Sequence, residues 1–413
     1  MNNLELKYPF NPETLAEIAD SFGTPTYAYS EGIIRDRISL LRSHLSGIPI
    51  HLSYAAKANV ALPILRLMLE EGLGIDAVSP AELELAIRVG FPPDQILYSA
   101  NNMTDQEMRE AVSRGVVMNI GELSRLESFG KAFPGSPVCV RLNPQIGAGH
   151  HKHVITAGRD SKFGVPVEQV DSIRSIVSEY DLELTGLHQH IGSGILDTDV
   201  LWTAISVMLE VAIEFGSLRF INLGGGLGVP YRPDEEALDV ALWKEKIVQP
   251  LSRYRERHPS NDLTFGFEPG RFLVAEAGVL VVQVNTVKET EHHLFAGVDS
   301  GMGHLVRPAV YNAYHAIFNL SNPDGDPKTY DVVGNICESA DFLARERSIQ
   351  EIREGDLLAI LDVGAYGMSM ASLYNMRPLP SQLWIPANGK RPEVITARES
   401  SNELVDRLYP ELG

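Results

Sequence analysis

The sequence predicts an α/β protein, a (β/α)8 barrel of the TIM type followed by a mostly β domain. Three observations predict it. Apolar, strand-like runs recur at 50–54, 75–79, 96–100, 116–120, 138–142, 184–190, 220–223 and 264–267. Helical patterns such as 63–71, 81–89, 105–113, 169–180 and 202–215 lie between them, and eight strands alternating with helices are the mark of such a barrel. Beyond Gly278 the rhythm changes to alternating, β-branched runs at 279–287, 294–298, 330–333, 357–361, 382–385 and 393–397, with little helical periodicity. A doubly wound open sheet is the rival architecture. It usually has fewer strands and a glycine-rich turn after the first one, whereas here the first barrel strand runs into Tyr54-Ala55-Ala56-Lys57-Ala58-Asn59.

Bulk composition sets the outer bounds. The chain has 413 residues, 44% of them hydrophobic and 22% charged, which suits about two domains with a sizeable core. The formal net charge of -19 argues against nucleic acid or an anionic membrane as partner. The two cysteines, Cys139 and Cys337, are far apart and form no CxxC pattern, which fits a reducing compartment. Met1-Asn2-Asn3-Leu4-Glu5 lacks the basic and apolar regions of a signal peptide, and no run of about 18 apolar residues occurs. A cytoplasmic location is expected.

Ahead of the barrel, Asn11-Pro12-Glu13-Thr14 reads as a helix entry, 25–29 as a short strand, and the next helix runs to about residue 45. The expected domains are a segment 1–32, a barrel over 33–278 and a β domain over 279–413.

In a barrel, functional groups gather on the loops after the C-terminal ends of the strands. Those loops hold Lys57, Asp76, Asn101-Asn102, Arg141 with Asn143, His188 and His190 with Ser193, Gly224-Gly225-Gly226, and Glu268-Pro269-Gly270-Arg271. Singly, each has an ordinary structural role open to it: a strand-end charge, a cap, a tight turn, a satisfied core histidine. Together their chemistry converges. Lys57 can form a Schiff base with an aldehyde. A triple-glycine turn offers bare N–H groups to a phosphate, helped by Ser193 and Gly192. His190 can stack on an aromatic ring, and Glu268 can hold a proton on a pyridine nitrogen. These requirements describe pyridoxal 5'-phosphate (PLP).

Further motifs extend over the chain: His188-Gln189-His190-Ile191-Gly192-Ser193-Gly194, Gly224-Gly225-Gly226-Leu227-Gly228-Val229-Pro230-Tyr231, Arg307-Pro308-Ala309-Val310-Tyr311, Cys337-Glu338-Ser339-Ala340-Asp341 and Gly364-Ala365-Tyr366-Gly367-Met368-Ser369-Met370. With these the sequence resembles the PLP-dependent decarboxylases of the alanine-racemase fold (fold type III), and within them the diaminopimelate branch. The resemblance implies that the first thirty or so residues add a strand to the β domain and that a homodimer carries its active sites at the interface. It implies Lys57 as the cofactor's attachment point and Cys337, delivered by the partner subunit, as the acid that reprotonates Cα. It implies that Asp76, His190, Ser193, Gly224, Gly225, Gly226, Glu268, Gly270, Arg271 and Tyr366 bind the cofactor. Arg271, Arg307, Tyr311, Glu338 and Tyr366 are the implied contacts of the small amino-acid substrate. A racemase of this fold has an arginine where Glu268 stands.

Two arginines where a diamine decarboxylase would want acids favour meso-2,6-diaminopimelate, with L-lysine and CO2 as products. Departures at 302–304, at Asn335 and at 371–376 leave open a relative acting on another carboxylate-bearing or carrier-bound amino acid, or a non-catalytic regulatory homologue. His150-His151-Lys152-His153 lacks metal-ligand spacing, so no metal is expected. The stretch 147–164 is expected to form a mobile lid.

Overall fold

The computed structural model describes residues 10–146, 157–158, 161–216, 218–258 and 263–412. The expected histidine cluster at 150–153 and most of the expected lid lie outside the described residues. The chain divides into two compact units, Ile38–Pro230 with Glu236–Phe272, and Met1–Arg37 with Tyr231–Glu235 and Leu273–Gly413. In chain order, β1 (Thr26–Ser30) belongs to the second of these, and β2 (Ile50–Ala55) opens the barrel of the first.

The barrel continues through β3 (Gly74–Ala77), β4 (Ile96–Tyr98), β5 (Val117–Ile120), β6 (Pro137–Asn143), β8 (Glu183–Gln189), β9 (Phe220–Asn222) and β10 (Thr264–Phe267), all parallel. Pairing of β10 with β2 closes the ring, and the two-residue β7 (Val165–Pro166) adds to the side of β6. The eight strands lie on the eight predicted apolar runs, with ends shifted by one or two residues.

Local signals set the helices between them. Ser79 accepts from the Glu82 N–H ahead of helix Pro80–Val89, which stops at a left-handed Gly90. Thr104 and Glu107 form a capping box on helix Asp105–Ser113. Trp243, on helix Val240–Arg257, is fully buried and meets Phe267 edge-on at 4.8 Å between ring centroids.

Unlike an ordinary barrel interior of branched apolar layers, this one is polar toward the C-terminal ends of its strands. Asp76, Asn119, Arg141, His188, Asn222 and Glu268 are all buried. Buried polar groups on that scale need partners, and the partners they find define the site.

The second unit is a nine-stranded sheet in the order β15-β14-β12-β11-β1-β17-β18, with β16 paired to β11 and β13. Its strands are β11 (Gly278–Glu289), β12 (Leu294–Val298), β13 (Ile317–Asn319), β14 (Pro327–Val333), β15 (Phe342–Gln350), β16 (Leu357–Ile360), β17 (Ser381–Ile385) and β18 (Glu393–Thr396). The early strand β1 is inserted between later ones, antiparallel to β11 (Tyr27 opposite Leu280) and parallel to β17 (Tyr27 opposite Gln382). Helix Pro12–Phe22, capped by the Asn11 side chain, buries Leu15 and Ile18 in a cluster with Val279, Val281, Leu361 and Leu383. Each such side chain contributes about 1.5–3 kcal/mol.

Strand β15, like the three-residue β13, is absent from the predicted runs. Its Phe-Leu-Ala-Arg-Glu-Arg-Ser-Ile-Gln sequence is charged at its centre, and Glu346 takes a left-handed φ of 49° in a bulge. The bulge is held by an N–H bond from Glu346 to Asp331 Oδ1 at 2.8 Å.

His304 gives this unit a pH signature. It is buried, its Nδ1 lies 3.1 Å from Ser300 Oγ, and its carbonyl accepts from Tyr27 Oη at 2.8 Å. Burial lowers its pKa to about 4, opposed by a backbone hydrogen bond at Pro378 and reinforced by the charge of Arg377. A folded pKa below the unfolded one stabilises above the unfolded value of about 6.5, and this stabilisation is lost as pH falls toward 4. His304→Gln is expected to flatten the dependence of thermal stability on pH over that window, with His304 accounting for roughly 3 kcal/mol in the native protein.

Candidate active site

At the end of β2 the chain turns through a single 3-10 turn, Ala56–Ala58, which presents Lys57 while its alanine neighbours are buried. The turn is pinned by Tyr54 Oη on the Asn59 carbonyl at 2.8 Å and by the Asn59 side chain, which accepts from the Ala61 N–H. Gly270 lies against it, and a Cβ there would come within 3.1 Å of the Ala55 and Ala58 methyls. Small residues on both sides of Lys57 are thus a packing requirement.

Lys57 Nζ meets Asp76 Oδ2 at 2.7 Å, with the lysine side chain 32% exposed and the aspartate 1%. Asp76 sits on β3 beside Ala55. Burial alone would raise its pKa, but the charge and hydrogen bond of Lys57, with His188 and Ser99, hold the carboxyl below its ordinary value.

Glu268 follows β10 and is also buried. Both its oxygens are engaged: Oε1 accepts from Asn222 Nδ2 at 2.8 Å, and Oε2 lies 3.0 Å from His188 Nε2. His188 Nδ1 has no hydrogen-bond partner among the described residues, so a proton on Nε2 satisfies this pair. His190 has its pKa well below the usual imidazole value through burial and the nearby charges of Lys57, Arg141 and His188. Its Nδ1 accepts from the Gly225 N–H at 3.2 Å, so this neutral ring carries its proton at Nε2. Arg141 is buried above the Phe163 ring, its guanidinium carbon 5.0 Å from the centroid. Burial lowers its pKa against the opposing pull of Glu268, Asp76 and Glu122.

The three glycines act differently from bare phosphate amides. Gly224 donates its N–H to Asn222 Oδ1 at 2.9 Å and Gly225 donates to His190, whereas the Gly226 N–H makes no protein hydrogen bond among the described residues. What Gly224 and Gly225 supply is close approach. A Cβ on Gly224, where φ is +75°, would lie 2.1 Å from the Gln189 carbonyl oxygen, and one on Gly225 would lie 2.2 Å from that of Glu268. Ser193 Oγ is fixed by Arg271 Nε at 3.1 Å. Gly224→Ala is expected to cost about 1–3 kcal/mol and to lower the PLP content of the purified protein, read by thermal melting and visible absorbance.

The donor set of this rim fits PLP: an amine beside a carboxylate, a neutral imidazole, a buried carboxylate for a pyridine nitrogen and an open amide at a glycine turn. Sequence reasoning passed over Asn222, and it noted Arg141 and His188 without assigning them a function. The signal for Asn222 was a lone amide in the otherwise apolar run of β9.

The other expected residues belong to the second unit. Arg307 is buried, with its guanidinium carbon 4.4 Å from the Tyr231 ring centroid and Nη1 2.9 Å from His315 Nε2. The other nitrogen of His315 lies 2.8 Å from the Leu361 carbonyl, so it donates there and Nε2 accepts from Arg307. Tyr311 ends the same short helix, Arg307–Tyr311. Tyr366 is held at a left-handed φ of 57°. Cys337 is exposed, its N–H donating to Asn375 Oδ1 at 2.6 Å. Tyr374 Oη lies 3.3 Å from Glu338 Oε2. Asp341 anchors this loop from beneath, accepting from the Ile336 N–H at 2.7 Å and from that of Met302.

Residues 31–275 match the family model described as "Pyridoxal-dependent decarboxylase, pyridoxal binding domain". The chain is 42% identical to the diaminopimelate decarboxylase of Methanothermobacter thermautotrophicus, over 94% of this chain and 92% of that one. It is 36% identical to the diaminopimelate decarboxylase of Pseudomonas aeruginosa, over 94% of each. The crystal structure of diaminopimelate decarboxylase from Helicobacter pylori complexed with L-lysine superimposes with a TM-score of 0.87 at 32% identity, over 96% of this chain and 100% of that one.

Proposed function

Since the chain belongs to the diaminopimelate decarboxylase family of PLP-dependent enzymes, we propose that it converts meso-2,6-diaminopimelate to L-lysine and CO2, the last step of lysine biosynthesis. The observation that carries this is the convergence of Lys57, Glu268, His190 and the glycine turn on one barrel rim. Bound PLP supplies an electron sink for the pair left at Cα when the carboxylate departs as CO2.

The rest is the work of the side chains. Lys57 holds the cofactor, with Asp76 setting the position and charge of its amine. Glu268, held by Asn222 and His188, would keep a proton on the ring nitrogen. His190, neutral, can lie flat against the ring without adding charge. Ser193 and Gly226 serve the phosphate end. A proton must then return to Cα, and Cys337 is the group assigned to supply it.

Selection of the substrate rests on charge. A guanidinium backed by an aromatic face and a neutral imidazole keeps its in-plane donors in a fork suited to a carboxylate, which favours Arg307, with Arg271 and Tyr311, for the distal end of diaminopimelate. Glu338 is assigned to an ammonium group. The proposal includes a cytoplasmic homodimer. Cys337 and Glu338 are exposed, with Val310, Tyr374 and Met376 exposed on the same unit, which supports a second copy covering them. Among the described residues no helix is long and apolar enough to cross a membrane.

The test is CO2 release by PLP-loaded protein from meso-diaminopimelate beside L-ornithine, L-lysine and L-arginine. Turnover of diaminopimelate alone, yielding L-lysine, is expected. Turnover of ornithine, lysine or arginine in preference would overturn the substrate, and no CO2 from any of them would overturn diaminopimelate in favour of another carboxylate-bearing or carrier-bound amino acid.

A further inference from the structure

We propose that Asn222 is a positioning residue that ties Glu268, the partner of the cofactor's ring nitrogen, to the glycine turn of the phosphate end. The proposal rests on the reading of Glu268 given above. Asn222 is the last residue of β9 and is buried. Its two amide atoms face opposite duties. Oδ1 accepts the Gly224 N–H at 2.9 Å, at the residue whose left-handed φ starts the turn. Nδ2 donates to Glu268 Oε1 at 2.8 Å. The backbone repeats the link, since the Glu268 N–H donates to the Gly224 carbonyl at 2.9 Å.

The arrangement leaves the amide no freedom to flip. Rotation by 180° would set Oδ1 against a carboxylate and Nδ2 against an N–H, losing both bonds. With His188 of β8 on the other oxygen, both oxygens of Glu268 are engaged, one from β9 and one from β8. A carboxylate that must meet a pyridine nitrogen has to stay aimed at it. Asn222 holds that aim while fixing the turn. Gly266 lies across from it, and a Cβ there would sit 3.1 Å from the Asn222 amide and press it aside by a few tenths of an ångström. The amide is therefore packed in one place as well as bonded.

Asn222→Asp separates the two duties. An aspartate still accepts from Gly224, so the turn persists, but it brings a second carboxyl to Glu268, and the two must share a proton. The readout is the 15N chemical shift of ring-labelled PLP bound to the protein. It is expected to move toward the unprotonated pyridine position, with kcat lower by about 10- to 100-fold and PLP still bound. Asn222→Ser, too short to span both partners, is expected to shift the same signal and to weaken PLP binding as well, and it serves if the aspartate variant does not fold.

Glu268→Gln is the control. If its signal stays at the protonated position, the role of Glu268 is wrong and the premise falls. If Glu268→Gln moves the signal while both Asn222 variants leave it where the native protein has it, Asn222 only packs, and this inference is overturned.

Discussion

Lys57→Ala is expected to abolish turnover and to leave the purified protein without the visible absorbance of lysine-bound PLP. Two separate losses underlie this result. The chemical loss is the only amine at the end of β2 able to hold the cofactor's aldehyde carbon. The physical loss falls on Asp76, whose carboxylate is buried and whose ion partner at 2.7 Å is gone. Because Lys57 is 32% exposed, the destabilisation should be about 2 kcal/mol, below the 3–5 typical of a fully buried pair.

The two losses can be told apart by pH. In the native protein Asp76 has a lowered pKa, so its contribution is present above the unfolded value near 4 and is lost as pH falls through the folded one. Without Lys57, burial dominates and the sign reverses. The deficit in thermal stability should therefore be largest near pH 8 and shrink toward pH 4. Lys57→Ala combined with Asp76→Asn should recover the stability at neutral pH and remain inactive. A single variant that keeps both turnover and the visible band would sink the assignment of Lys57.

Cys337→Ala is expected to bind PLP as the native protein does and to turn over about 100- to 10,000-fold more slowly, the range for loss of a positioned proton donor. Folding should be unaffected. The loop is held through backbone atoms, the Cys337 N–H on Asn375 and the Ile336 N–H on Asp341, and none of these contacts uses the thiol. Unchanged activity would place the donor elsewhere.

The homodimer proposed above adds a sharper outcome. Mixed and reassembled with Lys57→Ala subunits, the Cys337→Ala protein should regain activity. With random pairing, about one site in four is then built from two native halves if Cys337 acts across a two-fold interface. No recovery would mean that Cys337 serves its own chain, or that the pair does not exchange.

Much of the fold was legible in the sequence because the barrel strands are buried. Runs such as 50–54 and 264–267 place Ile50, Leu52 and Tyr54, or Phe265 and Phe267, at alternate positions, and the pattern changes at the point where β11 begins. Lys57, Glu268 and the triple glycine could be picked out for a similar reason. Each breaks a local rule, a charge at a buried strand end or three glycines in a row, and such breaks cluster where function requires them.

Several features escaped or were misjudged. Strand β15 did, because Arg345, Glu346 and Arg347 carry no alternating apolar signal and its pairing depends on Asp331, distant in sequence. Asn222 did, because an amide at a strand end is unremarkable until its two partners are seen. The glycine amides were misjudged: the sequence offers three N–H groups to a phosphate, but two are taken by Asn222 and His190.

By itself the sequence determined the order of strands, the cofactor class and the residue types on the rim, because burial patterns and glycine requirements are local properties of the chain. Only the tertiary structure decided which polar side chain answers which. The Lys57–Asp76 pair, the Asn222 bridge and the imidazole behind Arg307 join residues brought together by the closure of a barrel or a sheet. A hydrogen bond is specified by where its atoms come to rest.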